Sequence, residues 1–197
     1  MKIDTFSILI VIFVVLISYR IYYNSDLFQL KCIISSIDGK KYCVRERNKL
    51  ELAADKLARV NKNLQAIIAY CNDKYSEKDL TIRMKKGYNP KKIMETLPTS
   101  EYTAYSENKG EKLAFCLDTE KNNKGNLIDL NTLMYVAIHE LAHIASKSIG
   151  HTPEFWNNFK FLLNVAKDIN IYEPIDYKNN PKQYCGMTIN DNPYFDH

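Results

Sequence analysis

A helical stretch with two histidines at metal-binding spacing lies in the second half of this chain of 197 residues. Residues 136–145 read VAIHELAHIA, so His139 and His143 stand four positions apart in an apolar run. Side chains at that spacing lie on one face of an α-helix, where both imidazoles can reach one metal ion. Glu140 directly follows His139, and the carboxylate of such an H-E-x-x-H helix can act on a water beside the metal. The stretch predicts a buried helix with a metal-binding face.

His151 is the expected third ligand. Gly150 before it is expected to end the helix in a left-handed turn, with Lys147 in the last turn, where a cation suits the helix dipole. Residues 152–154, Thr-Pro-Glu, read as the cap, the first position and the first-turn acid of a following helix. This tight bend can fold His151 back toward the two helix histidines. A protein that supplies three nitrogens and leaves one position open is typical of catalytic zinc sites, whereas structural sites are closed.

Short motifs also occur by chance, and the alternative is a buried helix whose histidines bind backbone groups or solvent. The chain has four histidines, and three of them fall within residues 139–151. A core helix has no need of this combination, so the metal site is preferred. Cys185 as a fourth ligand would close the site and abolish catalysis. Tyr172 or Tyr184 could donate a hydrogen bond to a reaction oxyanion, or simply pack in the core.

HELAH, a short spacer and then GHTPEFW resemble the compact zinc metallopeptidases of the SprT-like, WLM and minimal gluzincin-like group. The longer run from YTAYSENKGEKLAFCLD through HELAH to YCGM is similar to predicted metallopeptidases of large DNA viruses, over about residues 45–197. The resemblance implies a small zincin-like α+β domain, with Zn²⁺ held by His139, His143 and His151 and Glu140 as general base. The spacer before the third histidine is shorter than is usual in SprT-like proteins, which weakens a DNA-repair role but not the metal.

The motif and the resemblance together predict a zinc metallopeptidase that acts on a peptide or protein substrate. Zinc lowers the pKa of its bound water toward about 7, and Glu140 takes the proton as that water attacks the peptide carbonyl. Three other functions stay open. They are an SprT-like DNA-associated protease, a non-catalytic zinc-binding module on a membrane, and a component of a virion membrane.

The N-terminal residues 6–19 read FSILIVIFVVLISY and carry no charge. Extended through residues 21–23, the segment approaches the about 20 residues that span a bilayer. Arg20 can snorkel to the interface, where tyrosines are also favoured. The sequence therefore predicts a membrane anchor over residues 1–23. A cleaved signal peptide is the rival, although the charged n-region is short and no small-x-small site follows, and a buried core helix is the third interpretation.

Basic residues are more frequent after this apolar run than before it. The positive-inside rule then favours a cytoplasmic catalytic domain, on a host or virion membrane. The odd number of cysteines, five, argues against a full disulfide framework and favours a reducing compartment. Residues 31–44 read as a hairpin that turns at Asp38 and Gly39. A two-residue loop would put Ile34 opposite Cys43 and leave Cys32 diagonal to it, which does not favour a disulfide.

The hairpin is expected to form a juxtamembrane spacer over residues 24–45, ahead of a metallopeptidase domain over residues 46–197. Apolar residues at helical spacing predict a long helix over residues 46–75, whose stripe from Leu50 to Cys71 is a core face or a coiled-coil seam for a partner. Residues 101–118 read as two short strands. From the resemblance, the second of them is expected to form a sheet edge along which an extended substrate can lie.

A cluster of cations between residues 79 and 94 offers a nucleic-acid contact, with a solvated loop as the default interpretation. The patch is short and the formal net charge is only +4, so nucleic acid is not favoured as a partner. The cations are Arg83, Lys85, Lys86, Lys91 and Lys92.

Overall fold

The computed structural model of the chain describes residues 4–23, 30–121 and 126–196. These residues mix helices and strands, which confirms the α+β class. The helices are α1 (Thr5–Tyr23), α2 (Leu50–Lys74), α3 (Asp79–Gly87), α4 (Leu130–Ala145) and α5 (Pro153–Asp168), followed by a 3₁₀ turn at Pro193–Phe195. The strands are β1 (Leu30–Ile34), β2 (Lys41–Arg45), β3 (Ile93–Glu95), β4 (Ala104–Glu107), β5 (Lys112–Phe115), β6 (Lys182–Tyr184) and β7 (Met187–Ile189).

The histidine-bearing helix α4 is the central helix of the fold. It contacts α2, α3, α5 and strand β4, and nearly every side chain along it is buried. The stripe of α2 faces the same core, which confirms the core-face interpretation and leaves this stripe buried within the chain rather than free for a partner. Its fully buried members are Ala53, Leu57, Val60, Leu64, Ile67 and Cys71.

Five strands form one sheet in the order β1-β2-β3-β5-β4, and β6 pairs with β7 in a separate hairpin. The strands β2, β3 and β5 are parallel, while β1 and β4 run antiparallel to their neighbours. The expectation that the second strand of residues 101–118 forms the sheet edge is wrong. That strand is β5, and it is interior because β3 takes its other side. The edge nearest to α4 is β4.

The β1–β2 hairpin differs from its prediction in strand register and in its position within the fold. Its connection spans residues 35–40, so Ile34 pairs with Lys41, and Cys32 lies opposite Cys43 and forms a disulfide with it. The longer connection is held from α2, because the carboxylate of Asp55 accepts hydrogen bonds from residues 35 and 36. The hairpin is also part of the five-stranded sheet through β2 and β3, rather than a separate spacer. The predicted boundary at residue 24 lies outside the described residues.

A second disulfide joins Cys116, just after β5, to Cys185 at the tip of the β6–β7 hairpin. Of the five cysteines only the buried Cys71 is free. The argument against a disulfide framework is therefore wrong: an odd count leaves one thiol over but still allows two bridges. Disulfides are typical of oxidising compartments, so the fold gives no support to the expected reducing one.

Buried charges join the ends of three strands. Arg47 binds the carboxylates of both Glu95 and Asp118, and the main-chain N–H of Arg45 donates to Glu95 at 2.7 Å. The Arg45 guanidinium also donates to the carbonyl of Thr96 at 2.8 Å. Buried ions of this kind are tolerated because each has an opposite charge and further hydrogen bonds. The cluster fixes β2, β3 and the end of β5 relative to one another.

The cationic stretch from residue 79 to 94 is a loop only in part. It forms α3 and the start of β3, and the exposed Lys91 and Lys92 lie in the connection between them. Arg83 donates from Nε to the carbonyl of Ala145 at 2.6 Å, while Lys85 donates to Asn72 at 3.1 Å. Arg83 therefore binds the end of α4 instead of offering its charge to phosphate.

Helix α1 is long and apolar enough to cross a membrane. No side chain in its Thr5–Tyr22 window is buried against another part of the described chain. An all-round apolar helix that packs against nothing else needs an apolar surrounding, which a bilayer supplies. A signal sequence near the N-terminus has the same length and composition. The buried-core interpretation of this segment is the one that the fold does not support.

Candidate metal centre

The sequence predicts Asp129 or Asn131 as the cap at the start of helix α4, and the structure has Asp129 there. The side chain of Asp129 accepts hydrogen bonds from the N–H and the hydroxyl of Thr132, each at 2.8 Å. The helix ends earlier than predicted, at Ala145 with Ser146 as C-cap. Gly150 does adopt a left-handed φ of +80°, but within the following bend and not at the helix end, and residue 147 lies outside the last turn. The bend is longer than predicted.

The three predicted ligands meet at one point. One possible ligand atom from each of His139, His143 and His151 can be chosen so that all three lie within 4.8 Å of one another. The Nε2 atoms of His139 and His151 are 3.0 Å apart. Two nitrogens on one tetrahedral zinc, each bound at about 2.0–2.1 Å, are separated by about 3.3 Å. The pair His139–His151 is thus close to the spacing that one ion requires, and His143 lies within the wider limit of 4.8 Å.

Aromatic rings of α5 form the wall behind the imidazoles. Phe155 is fully buried, and its ring centre lies 4.8 Å from that of His139, 4.3 Å from that of His143 and 4.7 Å from that of His151. Trp156 lies 5.6 Å from His151 on the outer side and is 40% exposed. The sequence predicts that Phe155 and Trp156 wall the site and fix the bend that presents His151, and these contacts agree with that placement.

The start of α5 also matches its prediction. Thr152 is the N-cap, Pro153 occupies the first turn, and the Thr152 hydroxyl accepts from the N–H of Phe155 at 3.4 Å. Glu154 is the predicted acid of the first turn, where it suits the helix dipole, and it also binds the bend before the helix. Its carboxylate accepts hydrogen bonds from the main-chain N–H groups of Lys147 at 2.9 Å and of residue 148 at 3.0 Å. This acid therefore holds the bend that carries the third histidine.

Sequence analysis missed Lys109, which lies in the β4–β5 turn. Its ammonium donates to the carbonyl of His143 at 3.0 Å and to two carbonyls of the bend. A lysine in a short polar turn carries no sequence signal for such a contact. Only the packing of the turn against the end of α4 brings the two together.

Burial favours the neutral form of the groups at the centre. It lowers the pKa of His139 to about 3 and that of His143 to about 4; the other two imidazoles add to the shift of His139, and His151 and the Lys109 ammonium add to that of His143. Neutral imidazole is the form that binds a metal. Burial raises the pKa of Glu140 to about 8. A cation bound beside Glu140 would favour its charged form.

An open cleft of 1010 Å³ leads to the three histidines and Glu140. Strand β4 and the residues before it form one wall, and the bend between α4 and α5 forms the other. Tyr102 and Ile149 are strongly exposed, at 66% and 89%, on opposite walls. The lining side chains on the strand side are Leu97, Ser100, Glu101, Tyr102, Ala104, Tyr105, Ser106, Glu107, Asn108 and Lys109.

The C-terminal residues considered as a fourth ligand or as oxyanion donors have other partners in the structure. Cys185 is bonded to Cys116 and is not a fourth ligand. Tyr172 accepts a hydrogen bond from Asn192 at 2.9 Å and does not line the cleft. Tyr184 is buried and donates to the carbonyl of Thr103 at 3.2 Å. Both tyrosines thus have packing and hydrogen-bonding roles in the core.

The chain is similar to viral proteins. Uncharacterized protein R325 of Acanthamoeba polyphaga mimivirus is 34% identical over 161 residues, which cover 80% of this chain and 81% of that protein. Uncharacterized protein 136R of Invertebrate iridescent virus 6 is 33% identical over 75 residues, 38% of this chain and 41% of that protein. Uncharacterized protein 042R of Invertebrate iridescent virus 3 is 42% identical over 59 residues, 30% of this chain and 36% of that protein.

No family model matches the chain. No solved structure matches it significantly. The similarity to the mimivirus protein extends over most of both chains at an identity that indicates common ancestry. The chain therefore belongs to the family of viral proteins that includes Uncharacterized protein R325 of Acanthamoeba polyphaga mimivirus.

Proposed function

We propose that this viral protein is a zinc-dependent metallopeptidase of zincin-like architecture. The observation that carries the proposal is the convergence of His139, His143 and His151, with Glu140 beside them on the wall of an open cleft. Three histidines alone are compatible with a structural site or another metal. Peptide hydrolysis also needs a group that can take a proton from the attacking water, and the buried carboxylate beside the ligands faces the cleft where that water would lie.

The donor set fits zinc. All three ligands are imidazoles, which suit zinc, and the chain supplies three rather than four of them. The cysteine that would have closed the site is bonded elsewhere. When bound there, zinc supplies a Lewis acid that acidifies water and polarises a carbonyl oxygen.

Glu140 moves the proton in the proposed reaction. Its carboxylate takes a proton from the attacking water as the water oxygen bonds to the peptide carbonyl carbon. It then gives that proton to the amide nitrogen as the C–N bond breaks, which releases an amine and a carboxylic acid. Burial of Glu140, at 6% exposure, keeps competing water away from this carboxylate.

The substrate in this proposal is an extended peptide segment that adds to the sheet along β4. This strand is a sheet edge and lines the cleft, so its outward main-chain groups are available for strand addition. The exposed Tyr102 and Ile149 on the two walls favour apolar side chains near the scissile bond.

Two of the alternatives now have less support. A DNA-associated protease would use the cations between residues 79 and 94, but Arg83 binds the end of α4. A non-catalytic binding module would use the α2 stripe, which lies in the core. A non-catalytic module has no use for a carboxylate next to the ligands in the cleft.

Helix α1 acts in this proposal as an uncleaved membrane anchor. Two disulfides in the domain favour exposure to an oxidising compartment, so the domain lies on the non-cytoplasmic side. This orientation replaces the cytoplasmic one expected from basic residues near the apolar run, a rule that sets orientation only when charges on the two sides differ clearly.

The test uses the full-length protein in detergent and compares it with Glu140→Gln and His151→Ala. About one zinc per chain is expected in the parent, with weaker binding in His151→Ala because one of three ligands is lost. Glu140→Gln should keep zinc and lose at least about 100-fold in cleavage of a fluorescently labelled unfolded protein. A folded parent without zinc would overturn the proposal, and zinc without cleavage would favour a binding module.

A further inference from the structure

One lysine outside the ligand set binds the backbone of the candidate metal centre at three points. The Nζ atom of Lys109 donates hydrogen bonds to the main-chain carbonyls of His143 at 3.0 Å, Ser146 at 2.9 Å and Ser148 at 2.6 Å. An ammonium group has three N–H donors, so all of them are used. The last carbonyls of a helix have no partner within it, and a cation there also suits the helix dipole.

The turn that carries Lys109 is itself fixed. Asn108, Lys109 and Gly110 all have positive φ, at 46°, 55° and 105°. A Cβ placed on Gly110 would lie 2.6 Å from the carbonyl oxygen of Gly87 and 2.8 Å from a methyl carbon of Ile144. The turn thus packs without spare room against α3 and the last turn of α4. The backbone from which the Lys109 side chain extends is therefore fixed in position.

The bend that leads to His151 is held from two sides. Lys109 binds its carbonyls at residues 146 and 148, while Glu154 binds its N–H groups at residues 147 and 148. His143 lies on the helix side of this contact, and His151 follows the bend by a few residues. The same ammonium therefore connects the segments that carry two of the three candidate ligands.

We propose that Lys109 is a positioning residue that sets the distance between His143 and His151 and thereby the affinity and geometry of the metal site. This inference rests on the proposed function, since it concerns the same three histidines. In this role Lys109 acts through its hydrogen bonds to the main chain. It also lies in the turn that directly follows β4, so the strand that forms the cleft wall and the metal site share one fixed point.

The experiment measures metal binding by the full-length protein and by Lys109→Met, Lys109→Gln and the control Lys86→Met. Lys86 is an exposed lysine on α3, so its variant matches the loss of charge without the contact. Zinc affinity is measured by competition with a chromophoric chelator. Cobalt(II) absorption reports the geometry of the site, and thermal unfolding without metal reports the fold separately.

Lys109→Met should bind zinc at least about tenfold more weakly, the range seen when groups that support metal ligands are lost. Its cobalt spectrum should change, while Lys86→Met matches the parent in both. Lys109→Gln keeps two donors and provides the same comparison if the methionine variant does not fold.

A folded Lys109 variant with the zinc affinity and cobalt spectrum of the parent would overturn the positioning role and leave the proposed function intact. A folded parent that binds neither metal would overturn the proposed function itself.

Discussion

Glu154 shows how one carboxylate can hold a ligand-bearing bend. Its oxygens accept from the N–H of Lys147 at 2.9 Å and from the N–H and hydroxyl of Ser148 at 3.0 Å and 2.7 Å. Arg83 approaches it at 3.3 Å. These partners favour the ionised form, first the N–H of Lys147, and they lower the pKa of Glu154 from 4.5 to about 2.

The lowered pKa predicts a pH dependence for the stability of the metal-free protein. A depressed carboxyl pKa contributes stability that is fully present above the unfolded value of 4.5 and is lost as pH falls toward about 2. Glu154→Gln should therefore be less stable at pH 7, by about 1 kcal/mol or less because the side chain is partly exposed. Between pH 4.5 and 2 its stability should fall less steeply than that of the parent.

Urea unfolding at several pH values, in the presence of a chelator, measures this difference. Glu77→Gln, on an exposed acid outside the bend, is the control and should follow the parent. Parallel curves for Glu154→Gln and the parent across the acid range would show that the carboxylate does not hold the bend.

At the level of helices, local signals were sufficient for prediction. The cap at Asp129 and the Thr152–Pro153 start depend on residues within one turn of each other, so the sequence predicts where α4 and α5 begin. The spacing of His139 and His143 follows from the helix alone. Any bend after the helix can bring His151 back toward His139 and His143. This explains why that prediction is correct although the helix ends five residues before Gly150.

The strands could not be placed in the same way, because their partners are distant in sequence. The register of β1 and β2 depends on Asp55 of α2, which lengthens their connection and brings Cys32 opposite Cys43. The interior position of β5 depends on β3, which precedes it by a loop and β4. The role of Lys109 could not be predicted for the same reason, since its contact with the end of α4 exists only after the turn has packed there.

The junction of α3, α4 and the β4–β5 turn gives a prediction about packing. Gly110→Ala should destabilise the protein by about 1–3 kcal/mol from overcrowding, in addition to the cost of a left-handed backbone at a residue with a side chain. Gly39→Ala is the matched control: its φ is +68°, but nothing lies within 4 Å of an added Cβ. It should show only the backbone cost, of about 1–2 kcal/mol.

Chemical unfolding of both variants in the same detergent gives the two free energies. Because Gly110 adjoins Lys109, the Gly110→Ala variant should also bind zinc more weakly, whereas Gly39→Ala should not. Equal losses of stability in the two variants would mean that the junction can relax around the added methyl group.

The whole molecule combines an apolar N-terminal helix with a disulfide-containing domain and an open cleft. Composition alone gave no reason to expect the bridges, since five cysteines are compatible with pairing or with free thiols. Their formation depends on a strand register and on the return of the β6–β7 hairpin to β5. The proposed oxidising compartment therefore depends on the folded chain rather than on composition, and it decides which proteins the cleft would meet.

The last prediction concerns the side of the membrane on which the domain lies. Pro181→Thr creates an N-x-T acceptor at Asn179, an exposed position just before β6. If the domain faces the oxidising lumen, this variant should gain a glycan when the full chain is made with microsomes, seen as a mobility shift that an endoglycosidase reverses. Pro181→Ala lacks the acceptor and should show no shift. In the same samples, four of the five cysteines should resist alkylation until reduced. An unglycosylated Pro181→Thr whose cysteines are all alkylated after denaturation without reductant would place the domain in the cytoplasm, and the enzyme would then act on cytoplasmic proteins.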